Sequence, residues 1–175
     1  VADAQGNLAS LTLSNGEGCG YVLPGTGIMI NNMLGEEDVN PHGFHQWPEN
    51  RRIASMMAPS ALRLADGSQV ATGSGGSNRI RSAILQVVSN LVDYAMDVEQ
   101  AVAAARIHFE SGLLNLEPPR MHAVLQALAA EFPEQCVWND RNLFFGGAHT
   151  VLRKPDGVLQ GIGDPRRGGI YRLVS

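Results

Sequence analysis

Cysteine is scarce. Cys19 and Cys136 are the only two in 175 residues, and neither stands in a Cys-x-x-Cys or Cys/His pattern. They spell no metal site, and the expectation is a pair of reduced, buried thiols. Positive charge is not in excess either: 13 Lys and Arg against 17 Asp and Glu give a formal net charge of −4. That balance lacks the basic footprint that nucleic acid or an anionic membrane surface requires. No run of about 18 apolar residues occurs, so no membrane-spanning helix is expected. No basic-then-apolar segment opens the chain at Val1, and the compartment stays open between cytoplasmic and periplasmic or extracellular.

What is abundant is glycine, 20 residues, which signals tight turns and close backbone approaches. The length suits one domain over residues 1–175 with a sizeable core. Alternation over Leu8–Ser14 predicts a strand, and Gly27–Asn32 reads as a buried strand ending in amides. Between them lies the flexible loop Asn15-Gly16-Glu17-Gly18-Cys19-Gly20. A long polar loop follows over residues 35–50. Two hairpins are expected, each around an Asp-Gly turn: Ala61–Leu64 with Gln69–Thr72, and Ala148–Arg153 with Val158–Ile162. Helices are expected between the hairpins. One carries Ile80, Ile84, Val87, Val88 and Leu91. A second follows an Asp97/Gln100 capping box, and a third runs from Arg120 to Phe132 with Pro119 near its start and Met121, Val124, Leu125 and Leu128 on one face. Strands, then helices, then strands, joined by hairpins, predict an α+β fold with mostly antiparallel sheet.

The run Val70-Ala71-Thr72-Gly73-Ser74-Gly75-Gly76-Ser77-Asn78-Arg79-Ile80 leads from a strand into a helix. It is not a phosphate loop, which needs Lys and Ser/Thr after its last glycine, nor a dinucleotide fingerprint, which needs a glycine where Asn78 stands. Two readings remain open: a tight turn with Ser74 or Ser77 capping the helix, or an anion site built from free N–H groups at a helix N-terminus. Ser55, in Arg51–Pro59, is either a packed serine or a binding hydroxyl. Asn31 and Asn32 either cap a strand or face a ligand, and Glu36, Glu37 and Asp38 form an acidic loop face. The five histidines are scattered, with His42 and His45 three apart but without further ligands, so no metal or cofactor is expected.

Taken in order, DAQGNLASLTLSNGEGCGYVLPGTGIMINNM, RRIASMMAPS, GSGGSNRI, AVAAARIHFE and GDPRRGG resemble the C-terminal, small subunit of gamma-glutamyltranspeptidases over nearly the whole chain. The resemblance implies an Ntn-hydrolase-like αββα sandwich of antiparallel sheets flanked by helices, of which this chain is the small-subunit half. In that family a precursor cuts itself, and the new N-terminal Thr becomes the nucleophile. The family's Gly-Ser-Pro-Gly-Gly-Ser-Arg pattern aligns with Gly73–Arg79, which gives Gly76 and Ser77 the oxyanion-hole roles. Ser14 matches a Thr that hydrogen-bonds the nucleophile, and Asn15 a nearby substrate-binding Asn. Asn32 and Glu36 fall in the run that holds the substrate's α-amino group, with Met33 where the family has Gln or Glu. Ser55 and Met56 fall in its Ser-Ser-Met carboxylate site, with Ala54 in place of the first Ser.

Three further expectations come with the resemblance. The partners are a large subunit from the same precursor and a small γ-glutamyl substrate. The nucleophilic Thr belongs about five residues before Val1, so this polypeptide alone is expected to be inactive and to self-associate through an uncovered apolar face. The altered Met33 and Ala54 keep open an acylase or other amidohydrolase branch with a different acyl group, and a catalytically dead ligand-binding or self-associating homologue.

Overall fold

A computed structural model describes residues 1–118 and 122–174. Pro119, Arg120 and Met121, expected at the start of the third helix, lie outside the described residues. The chain divides into two compact units. Unit 1 comprises Val1–Leu11 and Met57–Ser175, and unit 2 comprises Thr12–Met56.

Unit 1 carries the regular structure: β1 (Ser60–Arg63), β2 (Gln69–Gly73), α1 (Arg79–Val92), α2 (Val98–Ala103), β3 (Ile107–Glu110), β4 (Leu113–Leu116), α3 (His122–Glu131), β5 (Gln135–Val137), β6 (His149–Arg153) and β7 (Leu159–Ile162). The order β1-β2-β6-β7 makes a fully antiparallel sheet from the two expected hairpins. At their tips Gly67 and Gly157 adopt φ of 88° and 87°. The preceding Asp66 and Asp156 accept the N–H groups of Ser68 and Val158, an Asx turn that fixes each bend.

The apolar spacing of α1 and α2 is satisfied by this sheet. Val87 and Leu91, one turn apart, join Val98, Ala101 and Val102 over Val70, Ala148 and Leu152 to form the main core. Burying each large apolar side chain contributes about 1.5–3 kcal/mol. Asp97 caps α2 by accepting the Gln100 N–H at 2.8 Å, the carboxylate half of the expected capping box.

The second sheet was not anticipated. β3 and β4 form an antiparallel hairpin, and β5 joins β4 in parallel. Its signal was the Ser111-Gly112 turn, whose residues take φ of 51° and 85°. Four-residue strands are too short to establish alternation, and the Ala-rich run before them reads as helix.

Unit 2 contains neither a strand nor an α-helix among its described residues, only two 3-10 turns, Met33–Gly35 and Glu37–Val39. Two of the strands expected from the sequence are absent. Leu8–Ser14 makes a single bridge, Ala2 to Leu8, and Gly27–Asn32 a single bridge, Val22 to Met29. Alternation permits a strand, but continuous ladder bonds make one. Nor is the latter stretch buried: Ile28 is 59% exposed. The cysteines are exposed too, Cys19 in the glycine loop and Cys136 on the edge strand β5.

Candidate active site

β2 ends at Gly73 and α1 begins at Arg79. In the turn between them Gly76 has φ 131° and Ser77 φ 53°. The first is natural only for glycine, and the second places a serine in the left-handed region, where a Cβ costs roughly 1–2 kcal/mol. The carbonyls of Gly76 and Ser77 accept the N–H groups of Arg79 and Ile80, so the turn flows into the helix.

The cap expected from Ser74 is not made. Its buried hydroxyl donates to the Gly75 carbonyl and accepts the Gly147 N–H, both at 3.1 Å, and so pins a distant loop. Asn78, at the N-cap position, makes no capping bond with its side chain; its amide donates to the Glu110 carboxylate. Glu110 also meets His108 Nε2 at 3.2 Å, and His108 Nδ1 lies 2.7 Å from Ser82 Oγ. This chain of polar groups ties β3 to the first turns of α1. A helix start without a side-chain cap from its N-cap residue keeps the partial positive charge of the helix N-terminus, which favours a developing oxyanion.

The loop that backs the turn is fitted to it. A Cβ on Gly146 would stand 2.8 Å from Ser74 Oγ and 3.1 Å from the Gly75 carbonyl oxygen, and one on Gly76 would stand 3.1 Å from Gly146 Cα. Only paired glycines let the two backbones approach this closely. A buried ionic cluster holds the loop in place. Arg106 donates to Asp164 at 2.6 Å and to the Phe145 carbonyl at 3.0 Å. Asp164 also accepts the Ala148 N–H, and Arg166 pairs with the fully buried Glu117. Burial pushes the Asp164 carboxyl up, but the Arg106 charge, the Arg166 N–H and the Arg166 charge outweigh it and hold it below the usual aspartate range. Arg106 of AVAAARIHFE and Asp164 and Arg166 of GDPRRGG are thus structural: their charges brace Gly146-Gly147 against the glycine turn. The sequence shows these motifs but not their pairing, because Arg106 and Asp164 lie 58 residues apart.

In unit 2 four of the residues picked out by the sequence converge. Ser14 Oγ accepts the Gly16 N–H at 3.0 Å, and the Asn15 carbonyl accepts the Asn32 N–H at 2.8 Å. The Glu36 carboxylate packs so closely on Gly16 that a Cβ there would stand 2.8 Å from its Oε1. Burial, then the charges of Asp38 and Glu17, push the Glu36 carboxyl above its ordinary value. Asn40 steadies this loop by donating to the carbonyls of Leu34 and Glu36, and Trp47 donates to the Val39 carbonyl. Ser55 is exposed and Met56 half-buried in a stretch without helix or strand. No group of His, Cys, Asp and Glu among the described residues is arranged to hold a metal ion.

Comparison with known proteins places this geometry in context. The family profile described as gamma-glutamyltranspeptidase matches residues 1–174. An acylase ACY 1 proenzyme from Pseudomonas sp. (strain SE83) is 35% identical over all of this chain, which spans 31% of that protein. A glutathione hydrolase proenzyme from Escherichia coli (strain K12) is 28% identical over 95% of this chain and 30% of its own length. This chain thus spans under a third of the curated relatives it matches. A crystal structure of a gamma-glutamyltranspeptidase variant from Helicobacter pylori superposes with a TM-score of 0.78 at 28% identity, covering 95% of this chain and 97% of that one. The fold is accordingly α+β, of the Ntn-hydrolase type, with mostly antiparallel sheet and few helices.

Proposed function

Because the chain belongs to the gamma-glutamyltranspeptidase family, whose members are enzymes, we propose that it is the small-subunit portion of an N-terminal-nucleophile amide hydrolase or acyl transferase acting on γ-glutamyl compounds. The observation that carries this reading is the Gly76-Ser77 turn at the start of α1, held in left-handed geometry by the Gly146-Gly147 loop.

In the whole protein a Thr outside these residues attacks the γ-amide carbonyl, its own amine taking the proton. The N–H groups of Gly76 and Ser77 receive the oxyanion; losing one such donor typically lowers kcat by about 10²–10³. The amine leaves, and the acyl-enzyme passes its acyl group to water or to an amino acid. Asn15, Asn32 and Glu36 bind the α-amino end of the substrate, and Ser55 and Met56 its carboxylate. The Glu36 environment supports this role: burial, then the negative charges of Asp38 and Glu17, raise its carboxyl, and an incoming ammonium would relieve that repulsion. The partner is a large subunit of the same precursor. The 175 residues alone are inactive and self-associate.

A second reading, an acylase with a different acyl group, is favoured by the 35% identity to the ACY 1 proenzyme and by Ala54 and Met33. Two chromogenic amides separate the readings in the full-length, self-processed protein. γ-Glutamyl-p-nitroanilide and glutaryl-p-nitroanilide differ only by the α-ammonium group. Faster turnover of the γ-glutamyl compound, and loss of that preference in E36Q, agrees with the first reading. Preference for the glutaryl compound establishes the second, and release of p-nitroaniline from neither contradicts both.

A further inference from the structure

Arg166 is consumed in the buried ionic cluster, but its neighbour Arg167 is not. The short turn Pro165–Arg167 is capped by the Asp164 side chain, which accepts the Arg166 N–H, and ends on Gly168 with φ 59°. This turn sends Arg166 inward and leaves Arg167 exposed, lying along the double-glycine loop. Its stem covers Gly147: a Cβ on that residue would stand 2.7, 2.9 and 3.0 Å from Arg167 Cδ, Cγ and Cβ. Its guanidinium then reaches the oxyanion turn. Nη2 lies 3.2 Å from the Cβ position of Gly76, and Nη1 3.8 Å from that of Gly75. Among the described residues the guanidinium donates from Nη2 to the Leu143 carbonyl at 3.2 Å. Among the described residues no carboxylate pairs with Arg167.

A full positive charge, unneutralised by a carboxylate and held by a packed stem, therefore stands against the backbone of one proposed oxyanion donor. We propose that Arg167 is a positioning residue of the active site: its guanidinium braces the Gly75-Gly76 backbone and adds positive potential where the oxyanion develops. This rests on the oxyanion reading of Gly76-Ser77. The glycines leave the space that the guanidinium fills, and the buried Asp164–Arg106 and Arg166–Glu117 pairs fix the turn from which it extends. Charge placed beside a preformed oxyanion site strengthens with charge development in the transition state, so its effect belongs in kcat more than in KM.

The test uses the full-length, self-processed protein in three forms: wild type, R167M and R167K. Methionine keeps an unbranched stem over Gly147 and removes the charge, while lysine keeps both. On an uncharged-leaving-group substrate, γ-glutamyl-p-nitroanilide, and on its 3-carboxy derivative, R167M is expected to lower kcat about tenfold on both. KM should move less than about threefold, and R167K should stay within about threefold of wild type. Hydrogen exchange of residues 73–77 is expected to be at least about fivefold faster in R167M and near wild type in R167K. A loss confined to KM of the carboxylated substrate would make Arg167 a substrate-carboxylate ligand and overturn the proposal, as would unchanged kcat in R167M. If wild type turns over neither compound, the oxyanion reading fails by itself. Exchange then decides on Arg167 separately: unchanged exchange in R167M overturns its bracing role, and accelerated exchange with lysine rescue upholds it.

Discussion

The two units of this chain hold their functional residues by opposite means. Unit 1 places Gly76 and Ser77 on a rigid base, an antiparallel sheet under two helices, with four buried ions locking a distant loop against the turn. Unit 2 carries Ser14, Asn15, Asn32 and Glu36 on turns and backbone hydrogen bonds, with Val39 and Asn40 as its buried residues and Tyr21, Ile28, Leu34 and Phe44 exposed. Their carboxyls show the same contrast. Asp164 is held low by surrounding cations, whereas Glu36 is pushed up by burial and by like charges. An oxyanion site needs donors that do not reorganise as charge develops. A recognition loop can instead gain its missing counter-charge from a substrate, which is the role proposed for Glu36.

The strongest way to break the comparison is to remove the ionic base. D164A leaves Arg106 without its carboxylate and the Ala148 N–H without its acceptor; losing one partner of a buried pair typically costs about 3–5 kcal/mol. Urea denaturation should show that loss. N40A in unit 2 forfeits two hydrogen bonds to backbone carbonyls and is expected to cost about 1–3 kcal/mol. Native-state hydrogen exchange should confine its effect to residues 12–56. Equal global losses from the two substitutions would erase the distinction between the units.

Acid separates the units in the next rank. The contribution of Asp164, whose folded value is depressed, is complete above the ordinary aspartate range near ~3.9 and is lost as pH falls through the folded value. Glu36 has the opposite sign. Folding favours its protonated form, so its contribution is present below the ordinary glutamate value near ~4.3 and is lost as pH rises through the elevated folded value. Stability measured against pH should therefore lose an acid-side slope in D164N, whereas E36Q should gain relative stability towards neutral pH. Identical profiles for the two variants would contradict the assigned environments.

The smallest expected effect is at the turn itself. S77G removes a Cβ from a residue at φ 53° while keeping its N–H. Relief of that conformation is offset in part by the freer unfolded chain, leaving a gain of up to about 1 kcal/mol in thermal unfolding. A loss would mean that the Ser77 side chain matters more than its backbone geometry.

The sequence was most informative where the physics is local. Asp66-Gly67 and Asp156-Gly157 announced their hairpins, the spacing of Val87 and Leu91 announced α1, and Asp97 announced the start of α2. It misled where a local pattern needed a partner: Leu8–Ser14 and Gly27–Asn32 alternate or run apolar, yet each forms one bridge. Buried ions were the least legible. Nothing near Glu117 or Asp164 reveals that each meets an arginine from a distant segment. Likewise Ser74 carried the signature of a helix cap, but its hydroxyl serves Gly147, 73 residues away.

The most direct test is a crystal structure of the full-length, self-processed protein trapped as its γ-glutamyl acyl-enzyme. The expected result is an acyl carbonyl oxygen within about 2.7–3.1 Å of the backbone nitrogens of both Gly76 and Ser77. An oxygen that contacts neither nitrogen would contradict the assignment of this turn as the oxyanion cradle.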